Sequence, residues 1–198
     1  NGVDVAYFSP DTAVPREKDT IIVSGKMSYH ANVTMTLHLV NDIMPHVWAQ
    51  RPEVKVWIVG KDPGREIRAL GEHTAVTVTG TVPDLRDYLQ RATIAAAPIP
   101  YGAGVQNKVL EAMACGTPVV TTPQAIAALD VVPGHDVLVA QTPQLFAHTL
   151  LDLLDNTDQQ KQLSQAGRAF IEKQHHWNEI VGQLETIYQE VIQTRANC

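Results

Sequence analysis

The residues best suited to chemistry are concentrated at 98–120. This stretch reads Pro-Ile-Pro-Tyr-Gly-Ala-Gly-Val-Gln-Asn-Lys-Val-Leu-Glu-Ala-Met-Ala-Cys-Gly-Thr-Pro-Val-Val. It has the makings of an apolar strand end, a glycine-bearing loop and a helix start. Gly102 and Gly104 let the backbone turn sharply and come close to a ligand. N–H groups at the start of the next helix, around Val105 and Gln106, point into the same space, where the helix dipole favours an anion. Lys108 falls in the first turn of that helix. A cation there opposes the dipole, so an anionic partner is expected. Glu111 follows three residues later on the same face. The plain alternative is a surface ion pair at helical spacing, worth about 0.2–0.5 kcal/mol. The glycine loop in front of it favours ligand binding.

Two further lysines follow glycines at strand ends: Lys26 after Gly25, and Lys61 after Gly60. Each alone could be a solvated lysine closing a strand. With Lys108 they would form a cationic rim. What must position all three is an alternation of short apolar runs and helical patterns. Strands are predicted at 20–24, 54–59, 75–79, 93–99, 119–121 and 137–140. The first helix is expected to be capped by Asn32. It carries Met35, Leu39, Ile43 and Val47 at helical spacing, with a kink or early end at Pro45. Further helices are predicted at 65–70, 84–91, 105–115, 144–155, 159–173 and 177–194.

Runs that are apolar throughout are buried on both faces, and strands alternating with helices pair in parallel. The expected fold is α/β, a doubly wound Rossmann-like parallel sheet of about six strands with an all-helical C-terminal end. Residues 1–19, turn-rich and without periodicity, read as a linker, which leaves 20–198 as the domain. Ligands of such sheets sit outside the carboxyl ends of the strands. That directs attention to the loops after Ser24, Gly60, Gly80, Ile99 and Thr121.

Composition narrows the classes. The chain has 198 residues, 44% hydrophobic and 18% charged, enough for an ordinary core. Fifteen Lys and Arg against twenty-one Asp and Glu give a net charge of −6. That argues against nucleic-acid binding, which needs a basic footprint, and leaves room for a locally basic pocket. Two cysteines, Cys115 and Cys198, rule out a disulfide scaffold and a cysteine-rich zinc site and suit a reduced, cytoplasmic setting. No apolar run approaches the ~20 residues of a membrane helix, and no signal peptide is visible. The chain opens at Asn1 without Met, so it is expected to be excised from something longer.

Cys115 reads as a small packing residue. His175 and His176 are adjacent, do not face one another on a helix, and lack a third ligand nearby, so no metal site is expected there. Asp130, His135 and Asp136 around Pro133-Gly134 read as turn chemistry, with a ligand-side loop as the alternative. Trp177, Ile180, Leu184, Ile187, Tyr188 and Val191 form an apolar stripe expected in core or interdomain packing.

The run from Gly104 to Val120 resembles the donor-binding half of GT-B-fold glycosyltransferases in the large retaining family-4 group. It is most similar to bacterial sugar transferases for exported polysaccharide that carry a Gly-Ala-Gly-x-Gln-Asn-Lys loop. Asn1-Gly2-Val3-Asp4 with Phe8-Ser9-Pro10 resembles the segment joining the two GT-B domains. The segment from Trp57 to Pro63 resembles the mid-domain strand and its Gly-x-x-Pro loop. Gly80-Thr81-Val82-Pro83 resembles the Gly-x-Val loop, whose backbone meets the donor base. Glu111 matches the second Glu of a Glu-x7-Glu pattern and would hold the ribose. Ala103 stands where the first Glu would meet the transferred sugar, so N–H groups around Gly104, Val105 and Gln106, with Lys108, would take over part of that role. Lys26 matches the basic residue that binds the diphosphate. The second basic residue has no match, since Ala31 and Asn32 stand there, and Lys61 and Lys108 would share the load.

The resemblance implies transfer of a sugar from a UDP-, GDP- or ADP-linked donor to a saccharide or lipid-linked acceptor, in polysaccharide or glycoconjugate synthesis. Anomeric configuration would be retained, with no metal and no cofactor. Lys26 and Lys108 would be catalytic by stabilising the leaving diphosphate. The implied partner is the protein's own N-terminal GT-B domain, which carries the acceptor site. These 198 residues alone are therefore expected to bind donor and transfer nothing. The expected location is cytoplasmic, reaching the inner membrane only through that other domain. The alternatives are a GT-B-fold sugar-nucleotide epimerase and a non-catalytic α/β nucleotide-binding or interaction domain. A receiver-like domain is disfavoured by the Gly-Lys pairs after two strands. A dinucleotide oxidoreductase is disfavoured by the lack of Gly-x-Gly-x-x-Gly after the first.

Overall fold

The computed structural model describes residues 1–101 and 104–196. The six apolar runs become strands β1 (Glu17–Ser24), β2 (Lys55–Val59), β3 (Val76–Gly80), β4 (Ala92–Ala97), β5 (Val119–Thr121) and β6 (Leu138–Val139). All pairs are parallel, in the order β3-β2-β1-β4-β5-β6. Helices lie between and after them: α1 (His30–His38), α2 (Met44–Trp48), α3 (Arg65–Leu70), α4 (Arg86–Arg91), α5 (Asn107–Ala114), α6 (Pro123–Ile126), α7 (Pro143–Asp155), α8 (Thr157–Gln174) and α9 (Trp177–Ala196). This is the expected α/β, Rossmann-like sheet. The chain winds outward from β1 to β3, returns to β4, and winds outward again to β6. The reversal falls between β1 and β4, where Ile21 faces Ile94 and Ile22 faces Ala95. In an open parallel sheet the crevice at that reversal is the natural ligand position.

Three local expectations are corrected. First, β1 starts at Glu17, not at the apolar run. Glu17 pairs with Ala92, and the register slips before Ile21. Asp19 takes φ 57° there and is buried, its carboxylate held by the Arg51 guanidinium at 2.6 Å. Second, the first helix is capped by Tyr29 rather than Asn32. Asn32 lies inside α1, buried, and its Nδ2 donates to the Lys26 carbonyl at 3.0 Å. Third, the helix does not end at Pro45. The preceding turn, Leu39–Ile43, widens into a π-helical segment that runs into α2. A proline has no N–H for the carbonyl four residues back and crowds it, and a π turn absorbs both faults.

The opening segment is tied down along its length. The Val3 N–H donates to His175 O at 2.7 Å, and His175 Nδ1 lies 2.9 Å from Asn1 O. The Arg168 guanidinium donates to the carbonyls of Val5, Phe8 and Ala114. The Arg16 guanidinium donates to Ala92 O and Gly116 O, both at 2.6 Å. Cys115 is fully buried beneath this seam, which fits its reading as packing.

The α9 stripe is not core within this chain, since Trp177, Leu184, Ile187, Tyr188 and Val191 are all exposed. Among the described residues no helix is long and apolar enough to cross a membrane.

Candidate functional site

The loops leaving β1, β2 and β3 are joined backbone to backbone. The Gly25 N–H donates to Val59 O (3.1 Å), Met27 N–H to Lys61 O (2.8 Å) and Gly60 N–H to Gly80 O (3.2 Å). Gly60 has φ +154°, and a Cβ built on it would stand 1.7 Å from the Gly25 carbonyl oxygen. Only glycine allows the two loops to meet this closely. Their junction frames a cavity of about 290 Å³, lined by Gly25, Lys26, Gly60, Lys61, Thr81, Val82 and Leu85 among others. Four predicted site residues, Lys26, Lys61, Thr81 and Val82, are thus brought together. The Lys26 ammonium is half exposed and stands 4.0 Å from the Asp62 carboxylate. The outer rim, 81–85, is braced from outside. Arg86 clasps Asp84 and lies over the Tyr7 ring at 3.9 Å.

The second group stands across the reversal point, on the β4–α5 unit. Buried Thr121 and Thr122 tie it to the neighbouring strand, donating to Ala97 O (2.9 Å) and Ile99 O (2.7 Å). The expectations for Gly102 and for the gap at Ala103 lie outside the described residues. Gly104 is exposed with φ +93°, and a Cβ there would meet nothing within 4 Å, so its need for glycine is conformational. Val105 is half-buried against the core. The helix starts at Asn107, two residues later than expected, with Gln106 as its N-cap.

Gln106 Oε1 accepts from the Lys108 ammonium at 3.1 Å. Among the described residues no carboxylate comes within 4 Å of Lys108, which removes the surface ion pair as an account of Lys108 and Glu111. Both are half-buried. Burial pushes the Lys108 ammonium below its usual range, and Glu111 only partly opposes this. Burial likewise pushes the Glu111 carboxyl up to about 7, against the pull of Lys108. Gln106, Lys108 and Glu111 do not line the cavity of Lys26; they belong to the β4–α5 unit on the other side of the reversal.

The raised Glu111 value has a stability consequence with a definite sign. The folded protein holds this proton up to about pH 7, whereas the unfolded chain releases it near 4.5. Stability contributed here is therefore present at acid pH and lost as pH rises through 7. Glu111→Gln, which cannot ionise, is expected to match the parent at pH 4.5 and to exceed it at pH 8 by up to about 2–3 kcal/mol. Denaturant unfolding at the two pH values checks this. A variant no more stable than the parent at pH 8 would refute the buried, strained carboxylate.

One cluster was not anticipated. The Tyr101 hydroxyl lies 2.9 Å from Thr34 Oγ1, and 2.9 and 3.1 Å from His30 Nε2 and Nδ1. It joins the end of β4 to the first turn of α1. Its only trace in the sequence is an aromatic residue directly before the glycine loop. Among the described residues, no group of three or more His, Cys, Asp and Glu is arranged to hold a metal ion.

Comparison with known proteins agrees with the fold. The family described as glycosyl transferases group 1 matches residues 18–156. No curated protein matches the chain. Among solved structures, sucrose-phosphate synthase from Thermosynechococcus elongatus superposes with a TM-score of 0.78 at 22% identity, over 98% of this chain and 52% of its own. Anabaena HepE in complex with UDP-glucose gives 0.72 at 16% identity, over 100% of this chain and 56% of its own. The C-terminal domain of the Francisella tularensis group 1 glycosyl transferase LpcC gives 0.67 at 14% identity, over 89% of this chain and 100% of that domain. The chain therefore spans about half the length of the first two, and the fold is that of their shared half.

Proposed function

The chain belongs to the glycosyl transferases group 1 family, and from that membership we propose that it is the donor-binding half of a GT-B transferase acting on a nucleoside-diphosphate sugar. The observation that carries this reading is the cavity at the carboxyl ends of β1, β2 and β3. Three backbone-tied loops there present Lys26 and Lys61 beside Thr81 and Val82. It is a cationic pocket on an acidic protein, on the β1 side of the sheet's reversal point. The match over its whole length to a structure holding UDP-glucose supports the same ligand class, with UDP-, GDP- and ADP-linked donors as the candidates.

In this reading the base lies along 81–82, meeting backbone groups. Lys26 and Lys61 neutralise the diphosphate, and Lys108 approaches it from the other wall. Glu111 accepts from the ribose hydroxyls and fixes the donor in place. Cleavage of the bond between the anomeric carbon and the diphosphate oxygen leaves the electron pair on the diphosphate. The Lys26 and Lys108 ammonium groups stabilise that developing charge, so the diphosphate departs without metal assistance. The anomeric configuration is retained. A saccharide or lipid-linked acceptor is bound by an N-terminal GT-B domain joined through the segment at 1–16, on the cytoplasmic side of the membrane. The described chain by itself binds donor and transfers nothing.

The test is a thermal-shift and calorimetry panel of UDP-, GDP-, ADP- and dTDP-linked nucleotides on this chain. A ligand at 100 times its Kd adds about 2.7 kcal/mol, a rise in Tm of roughly 5–10 °C at this size. One base should be selected, and Lys26→Ala should abolish the shift. Silence across the panel, both here and in the protein with its acceptor domain, would overturn the reading.

A further inference from the structure

We propose that Tyr101 and His30, completed by Thr34, recognise the sugar that the donor carries. This rests on the donor-binding reading and names the part of the ligand that the cavity leaves unassigned. A donor with its base along 81–82 and its diphosphate on Lys26 and Lys61 still has its sugar to place. The next strand end across the sheet is that of β4, and Tyr101 is the aromatic residue there. His30 lies four residues after Lys26, beyond a turn closed by the Tyr29 N–H donating to Lys26 O at 3.0 Å. Tyr101 lies three residues before Gly104. The cluster therefore joins the loop that bears the first cation to the loop that leads to Lys108.

Its chemistry suits a neutral, polyhydroxylated ring. A phenol and a neutral imidazole each donate and accept, which hydroxyl-rich ligands require. The sequence from Pro98 to Leu110 contains no carboxylate, so side-chain hydrogen bonding on this loop rests on Tyr101, Gln106, Asn107 and Lys108. Lys108 and Gln106 are already engaged with each other. Tyr101 is 42% exposed, so its ring stands open to solvent and can cover the C–H face of a sugar. The Tyr101 hydroxyl is held by Thr34 Oγ1 and lies against the His30 imidazole. A phenol fixed this way discriminates, because a sugar epimer that misplaces its hydroxyl leaves a polar group unpaired.

Calorimetry on this chain decides the matter. Free UDP, GDP and ADP are measured first, then the glucose, galactose, mannose and N-acetylglucosamine derivatives of whichever nucleotide binds. The parent should prefer one sugar over its epimers. Tyr101→Phe and His30→Ala should flatten that preference by about 5–10-fold, the scale of one lost hydrogen bond, while Kd for the free nucleoside diphosphate stays within about twofold. Unchanged affinity for the free nucleotide also shows that the variants are folded. Preference that survives both changes, equal weakening of every ligand, or a parent indifferent to the sugar would each overturn this assignment. A parent that binds no nucleoside diphosphate would instead bring down the donor-binding reading.

Discussion

Gly60→Ala is expected to cost about 3–5 kcal/mol, lowering Tm by roughly 6–15 °C, and to abolish nucleotide binding. Two faults add. The backbone at this residue has φ +154°, where a side chain is strained. The new methyl would sit 1.7 Å from the Gly25 carbonyl oxygen, a contact no rotamer relieves. The loops after β1 and β2 must separate, breaking the 3.1 Å bond from Gly25 to Val59 and the 2.8 Å bond from Met27 to Lys61. Those bonds set the distance between the Lys26 and Lys61 loops. Gly134→Ala is the control. Its φ is +84°, but a Cβ there meets nothing within 4 Å, so only the backbone penalty of about 1 kcal/mol applies. If both variants melted alike, close approach at Gly60 would not be what the fold requires.

Lys108→Ala should separate function from stability. The Lys108 ammonium is half-buried, opposes the α5 dipole, and has a neutral amide as its direct partner. Removing it relieves a desolvated charge, so the variant should be no less stable than the parent, apart from a further rise in the Glu111 value as its opposing charge disappears. On the donor-binding reading, transfer by the protein with its proposed acceptor domain should nonetheless fall about 10²–10³-fold, the effect of deleting one preorganised group aimed at developing charge. Lys108→Arg keeps the charge and should recover part of the rate. Steady-state kinetics alongside thermal unfolding would show it. A loss of rate matched by an equal loss of stability would reduce Lys108 to a structural residue.

The sheet was legible because its signals are local. Ile21-Ile22-Val23, the run around Trp57 and Ile58, and Ala95-Ala96-Ala97 are apolar without alternation, which only strands buried on both faces tolerate. The segments that misled are those decided by distant partners. Glu17 and Asp19 read as loop because they are polar. They become strand through pairing with β4 and through Arg51, 32 residues away from Asp19. Asn32 had the chemistry of a cap, but tertiary context spent its amide on the Lys26 carbonyl. Helix α6 spans only Pro123–Ile126, too short for any periodicity to declare it.

The candidate site divides the same way. Lys26, Lys61 and the 81–82 loop were found by one rule, that ligands meet the carboxyl ends of parallel strands. Glu111 and Lys108 were found by helical spacing, which gave their common face but not their separation. Tyr101, His30 and Thr34 went unseen. Residues 67 and 71 apart become neighbours only once β1 and β4 lie side by side, and nothing local records that pairing.

The seam that fastens the opening segment also fixes an order of events in the life of the chain. Val3 and Asn1 bond to His175, and Val5 and Phe8 bond to Arg168. Residues 1–8 therefore wait for partners made 160 to 174 residues later. β1 must likewise wait for β4, since its neighbour on that side is made some seventy residues later. Contacts of such long sequence separation are reached late, after loop closure has been achieved elsewhere. In synthesis the β1–β2–β3 half can assemble early, carrying Lys26 and Lys61 on finished loops. The second wall comes afterwards, and the strap at 1–8 closes only once Arg168 and His175 are in place.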